Sequence, residues 1–353
     1  MSGPASEFQW DASWPKALPN NWLVGNVVGV AVDSSDTIWI YHRPLSQAGA
    51  ENTPPVLAFN QAGDLVNSWG GVGDGPEDWG GSSADGTYEW GTQMHGGYVD
   101  YQDNVWVGFG GGLPYEPDKI HTYGNALVLK FTPDGEFLLQ LGKWGMTEGS
   151  QSEQYLGQPT DIWVDPETDE VYVSDGYANR RVIVFDGTTG EFKRLWGAYG
   201  NEPDDGQMPR FSRDGDMPEQ FNTPHCLAGS SDGLVYVCDR GNQRIQVFQK
   251  DGTFVSEALV SATLSDGSIG GTPWDIAMSN DPEQQYLYVS DGGNHRVHIL
   301  RRDTLEAVGS FGQRGRWGGQ FESPHSLAID SHGNLFVVET LDGRRAQKFT
   351  PTN

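Results

Sequence analysis

PTDIWVDPETDEVYVSDGYANRRVIVFDGTTGEFKRLWG, residues 159–197, decides the fold. An apolar run, DIWV, meets an acidic turn; VYVSD follows, then Asn and Arg, then RVIVF, a DG turn, and a last run closing on WG. Asp and Gly tolerate the backbone angles of hairpin turns, so the stretch reads as four short antiparallel strands. Two close copies follow, PHCLAGSSDGLVYVCDRGNQRIQVFQKDGTFVSEALV at 224–260 and PWDIAMSNDPEQQYLYVSDGGNHRVHILRRDTLEAVGSFG at 273–312. Looser copies occupy 27–70 and 95–142. A sixth, PHSLAIDSHGNLFVVETLDGRRAQKFT at 324–350, stops after three strands.

A four-stranded unit recurring every ~40–45 residues is the signature of a propeller blade. The expected fold is therefore all-β, a six-bladed β-propeller in one domain, 1–353. Its blades are expected near 22–70, 94–143, 158–198, 222–261, 271–312 and 322–350. The segment EFQWDASW, 7–14, is the expected donor of the strand missing from the last blade. Such a donation closes the ring and removes two free sheet edges. Insertions at 44–54, 71–93, 110–125, 144–157 and 198–218 interrupt the spacing; Trp79 and Trp90 lie in the second. Several of these join one blade to the next, and they predict a lidded pocket on the face where the inner strands begin.

The repeat phase exposes a pattern. His95, His225 and His325 each stand five residues before the residue closing the first strand, namely Asp100, Ser230 and Asp330. Val28, Thr160 and Trp274 hold that place in the intervening repeats. A ring of six blades then points an imidazole inward from every second blade. Three imidazoles with an open fourth position suit catalytic zinc; Cu, Fe or Ni are also compatible with the ligand type. His42, His121, His295, His298 and His332 lack the phase and read as surface or packing residues. Aligning the second strands places Arg43, Gly110, Gly176, Arg240, Gly292 and Thr340 in one register. Arg43 and Arg240 fall on opposite blades, and each can clamp a carboxylate or pair with a neighbouring acid such as Asp239. Tyr177 follows the same register position and is a candidate base. The Asn179-Arg180-Arg181, Asn242/Arg244 and Asn294/Arg296 sets recur in every good blade and read as structural.

Composition narrows the partners. The 22 Lys and Arg against 48 Asp and Glu give a net charge of −26. Such a surface repels nucleic acid and anionic membranes. No stretch approaches the roughly 18 apolar residues of a membrane helix. The expected partner is a small molecule or peptide carrying a carboxylate, and the protein is expected to be a monomer. Cys226 and Cys238 can meet across an antiparallel pair, but two cysteines define no framework, and packed, unbonded thiols are the expected state. Met1-Ser-Gly leads straight into polar sequence without a visible leader; a periplasmic or secreted setting is slightly favoured over the cytoplasm.

These residues resemble the NHL-repeat six-bladed propellers, and more narrowly the peptidyl-α-hydroxyglycine α-amidating lyase family. The resemblance rests on PTDIWVDPETDEVYVSDGYANRR, TPHCLAGSSDGLVYVCDRGNQRIQVF and SPHSLAID. It implies zinc on His95, His225 and His325, a catalytic Tyr177, and substrate held by Arg43 and Arg240. The implied reaction cleaves the N–C bond of a carbinolamide to an amide and glyoxylate, with a separate enzyme making the substrate. Two positions depart from the family pattern. Ser326 stands where an Asp often contributes to a calcium site, which puts structural Ca2+ in doubt. Ala178 replaces a Cys, so that family disulfide is missing. Two other functions fit the scaffold: a propeller hydrolase such as a lactonase, and a non-catalytic NHL module that binds a ligand or protein. The first usually needs calcium-binding carboxylates at the channel, where this chain carries His, Val, Thr and Trp.

Overall fold

The computed structural model describes residues 7–73, 79–111, 125–208, 211–260 and 271–352. Six four-stranded antiparallel sheets form the blades. Their inner strands are Asn26–Val32, Met94–Val99, Pro159–Val164, Pro224–Gly229, Asp275–Met278 and Pro324–Ile329. Each inner strand contacts the one before it and the one after it, and the sixth contacts the first, so the ring is closed. The second strands end at Arg43, Phe109, Asp175, Asp239, Asp291 and Glu339.

Side-chain alternation explains the ring. Along Ile38–Arg43, Ile38 and Ile40 pack with Phe336 and Val338 of the sixth blade. Trp39 and Tyr41, on the other face, pack with Val105, Val107 and Phe109 of the second. A sheet covered on both faces carries near-continuous apolar strands, which is how IWIY and VYV read. The described residues contain one apolar cluster at each of the six blade interfaces.

The N-terminal strand Phe8–Trp10 pairs antiparallel with Arg345–Pro351 and completes the sixth blade, as expected. Trp14 then enters the seam between the last and first blades. It lies 5.8 Å from the Phe59 ring and 4.9 Å from the Phe336 ring, and its indole N–H donates to Asn60 O at 3.2 Å.

The recurring Asn and Arg residues are structural. Arg181 pairs with Asp175 at 3.0 Å and Arg244 with Asp239 at 2.8 Å, all four buried. Arg345–Glu339 repeats the pair in the sixth blade, and His298 takes the role with Asp291 at 2.8 Å in the fifth. Asn179 and Asn242 donate to the same carboxylates. The acidic residue closing an inner strand has its own task. Asp33 accepts the Thr37 N–H at 2.9 Å and the Trp39 indole at 3.0 Å, and Asp100 accepts the Asn104 N–H at 2.9 Å and the Trp106 indole at 2.9 Å.

Two expectations need correction. Cys226 and Cys238 are joined as a disulfide, not left as packed thiols. Cys226 stands opposite Cys238 in the regular register that runs back from the Gly229–Val235 pair, with Cα atoms 4.9 Å apart; two cysteines in one sequence do not say whether they are joined. The insertion at 71–93, where described, is anchored and not a free lid. It forms a ribbon, Gly81–Ser82 with Glu89–Trp90, whose Trp90 is buried against Phe109 and Phe131. Much of the 110–125 insertion, with His121, lies outside the described residues.

Trp14→Ala should cost about 3–5 kcal/mol, the usual result of emptying a buried indole site. Trp10→Ala, in the same segment but 40% exposed, should cost under about 1 kcal/mol. Urea denaturation followed by tryptophan fluorescence checks both; equal losses would mean that Trp14 does not lock the ring.

Candidate metal centre at the channel mouth

The inner strands of five of the six blades are irregular where they meet the channel. Register shifts fall between Val27 and Gly29, Met94 and Gly97, Pro159 and Asp161, Pro224 and Cys226, and Pro324 and Ser326. The residues skipped are Val28, His95 with Gly96, Thr160, His225 and His325. A bulge re-aims a side chain that a regular strand would send into a blade interface. Five of the six ring positions therefore project at one level for the same backbone reason.

The three imidazoles converge. Their ring centroids are 4.8 Å (His95–His225), 4.8 Å (His95–His325) and 5.2 Å (His225–His325) apart. One nitrogen from each lies within 4.8 Å of the others, so the set can hold a metal. The outer nitrogens face the next blade. His95 Nδ1 donates to Thr160 O at 2.8 Å, and His225 Nδ1 donates to Trp274 O at 2.6 Å. A carbonyl only accepts, so these contacts fix the tautomer and leave each Nε2 lone pair pointing inward. His325 Nδ1 itself lies outside hydrogen-bond geometry and is a buried atom without a partner among the described residues.

Burial first, then the neighbouring histidines, Arg43 and Arg240, push the imidazoles down. His95 and His225 fall well below the usual histidine range and His325 to about 3. All three are neutral at physiological pH, the form that ligates metal. The Tyr177 hydroxyl sits 2.9 Å from His95 Nε2 and 3.1 Å from His225 Nε2. One phenol proton serves only one of these acceptors. The cluster thus holds more inward lone pairs than protons, which suits a cation.

Both sequence-selected arginines border Tyr177. Arg240 Nη1 is 3.5 Å from its hydroxyl. Arg43 donates its Nε to Met94 O at 2.7 Å, and burial lowers its pKa. Gly111 lies between Arg43 and the Tyr177 ring at φ +77°, a backbone conformation that favours glycine. Neither arginine has an ion-pair partner among the described residues. The acid weighed for Arg240, Asp239, is taken by Arg244, Asn242 and the Asn222 N–H.

The remaining histidines pack elsewhere. His42 is buried between the Gly25 N–H and Pro54 O; His295 meets Glu322 O; His298 pairs with Asp291; His332 is exposed beside Asp36. Sequence reasoning missed two groups. Asp161 and Asp275 follow the ring position in the third and fifth blades, where TDI and WDI recur. Their carboxylates accept the Leu227 N–H at 3.0 Å and the Leu327 N–H at 2.9 Å, each on the next blade. Ser326 repeats the latch with the Val30 N–H at 3.3 Å. Burial raises Asp275 to about 6; burial first, then the Asp275 charge, hold Asp161 well above the usual carboxylate range. The other missed group is the Trp274 side chain, packed 5.5 Å from the His325 ring and 6.0 Å from the His225 ring.

Comparison with known proteins agrees with this architecture. The NHL repeat family model matches residues 221–248. NHL repeat-containing protein 3 of Mus musculus is 26% identical, over 98% of this chain and 84% of its own. Peptidyl-glycine alpha-amidating monooxygenase B of Xenopus laevis is 31% identical over 97% of this chain, which spans 35% of that protein. Peptidyl-alpha-hydroxyglycine alpha-amidating lyase 1 of Drosophila melanogaster is 26% identical over 97% of this chain and 59% of its own. Among solved structures, a streptogramin B lyase superposes with a TM-score of 0.56 at 11% identity, covering 98% of each chain, which is a likeness of fold. The chain is thus an NHL-repeat six-bladed β-propeller that resembles the peptidyl-α-hydroxyglycine α-amidating lyases.

Proposed function

We propose that this protein is a metal-dependent lyase that cleaves a carbinolamide bearing a carboxylate. The observation that carries the reading is the Tyr177 hydroxyl, shared between two inward imidazole nitrogens and flanked by two arginines without acidic partners. His95, His225 and His325 would hold the metal, zinc in this reading, which supplies Lewis acidity to a substrate oxygen. Arg43 and Arg240 bind the carboxylate and orient the α-carbon toward Tyr177. Once its own proton has passed to solvent, the Tyr177 oxygen is placed to take the hydroxyl proton as the C–N bond breaks. The C–N bonding pair goes to nitrogen, the α-carbon leaves as the aldehyde carbon of glyoxylate, and the proton taken from the hydroxyl is returned to the amide nitrogen. An enzyme that hydroxylates the α-carbon of a terminal glycine would supply the substrate.

Ser326 is engaged with the Val30 N–H and is a poorer calcium ligand than a carboxylate, so the reading includes no structural Ca2+ there. The Cys226–Cys238 disulfide supports a periplasmic or secreted setting. A second reading, an NHL propeller that binds its ligand without turnover, draws on the similarity to NHL repeat-containing protein 3. Metal binding with no turnover of any α-hydroxyglycine amide would favour it.

Elemental analysis of protein prepared without chelator should find about one transition metal per chain. His225→Ala should lose it. Metal-free wild type, or a His225→Ala protein that keeps its metal, would overturn the site.

Tyr177→Phe should lower kcat on an α-hydroxyglycine amide by about 10²–10⁴-fold. Its unfolding free energy should stay within about 1 kcal/mol of wild type, because the ring packing survives. Steady-state assay of amide release with a urea titration tests both halves. An unchanged kcat would remove Tyr177 from the chemistry.

A further inference from the structure

Arg240 occupies an unusual position for a guanidinium in an acidic protein. It stands at the channel mouth beside Tyr177, yet no carboxylate among the described residues neutralises it. Its neighbours are aromatic faces. The guanidinium carbon is 5.3 Å from the Trp274 ring and 5.4 Å from the Tyr177 ring. An aromatic face attracts a cation through its quadrupole without cancelling the charge, and indole does so best.

Trp274 is itself firmly held. It is 3% exposed, and its indole N–H donates to Gly271 O at 2.9 Å. Gly292, at the matching second-strand position of the same blade, leaves it room. A Cβ on Gly292 would meet the indole ring at 2.5 Å, so any side chain there displaces it. The backbone of Trp274 has a separate task, since its carbonyl orients His225. The two tasks can therefore be separated by changing the side chain alone.

We propose that Trp274 is a positioning residue that holds Arg240 by its aromatic face and so keeps that positive charge available to the carboxylate of the substrate. An ion pair would fix the guanidinium equally well but would present a neutralised site to an incoming anion. The indole fixes it and leaves the charge free. The inference deepens the lyase reading and rests on its carboxylate-bearing substrate.

The test measures binding of hippurate, an N-acylglycine that lacks the reactive hydroxyl, by calorimetry on metal-loaded protein. Metal content is determined on the same samples. Trp274→Leu should weaken hippurate about tenfold with metal content unchanged, and Trp274→Phe should recover most of the affinity by restoring a π face. Gly292→Ala, which leaves residue 274 as it is, should reproduce the Leu variant by displacing the indole. The proposal is overturned if wild type does not bind hippurate, if the Leu variant binds as wild type does, if Phe rescues nothing, or if the Leu variant loses its metal. Turnover is a separate readout. Hippurate binding that follows this pattern, without cleavage of an α-hydroxyglycine amide, would sink the lyase reading and leave the role of Trp274 standing.

Discussion

Every blade of this protein is buried on both faces, and no blade can satisfy that condition without two neighbours. Ring closure follows from it. Val27, Ile38 and Ile40 of the first blade need Phe336 and Val338 of the last, just as Trp39 and Tyr41 need the second. The chain meets this need with its own N-terminus, where Phe8–Trp10 supplies a strand and Trp14 fills the seam.

Closure creates a second requirement at the centre. The inner strands are sheet edges facing the channel, and their backbone groups need partners. Side chains of one blade meet the backbone of the next. Asp161 takes the Leu227 N–H, Asp275 the Leu327 N–H and Ser326 the Val30 N–H. His95 and His225 donate to Thr160 O and Trp274 O in the same sense around the ring. The contacts that orient the imidazoles are thus part of the contacts that seal the channel. Loosening a seam between blades would disturb the tautomer and aim of the imidazoles.

Much of this was legible in the sequence, for a physical reason. Repetition converts residue number into angle around the ring, so a shared phase identifies residues that meet in space. That argument found His95, His225 and His325 and aligned Arg43 with Arg240. It could not find the bulges, because a bulge changes which residues face each other without changing their count. The Cys226–Cys238 bond was missed for another reason: the two residues were seen to be able to meet across the pair, but two cysteines alone do not say whether they are joined. Trp274 was visible only as a residue standing where a histidine was absent. Its counterpart signal was Gly292, whose missing side chain makes room for the indole, and one sequence does not reveal which glycine serves which neighbour.

The charge of the chain poses a question that the site answers locally. A protein at −26 repels any anion when viewed from afar. At physiological ionic strength that repulsion is screened beyond about 8 Å, so the potential at the mouth is set by the nearest groups. Those groups are Arg43 and Arg240, without acidic partners among the described residues, beside three imidazoles that burial keeps neutral. The structural arginines behave in the opposite way. Arg181, Arg244 and Arg345 are each matched to a buried acid and contribute almost no field. The same residue type is thus used in two electrostatic states, and the difference between them, visible only once Asp239 is seen to belong to Arg244, separates the mouth of the channel from its frame.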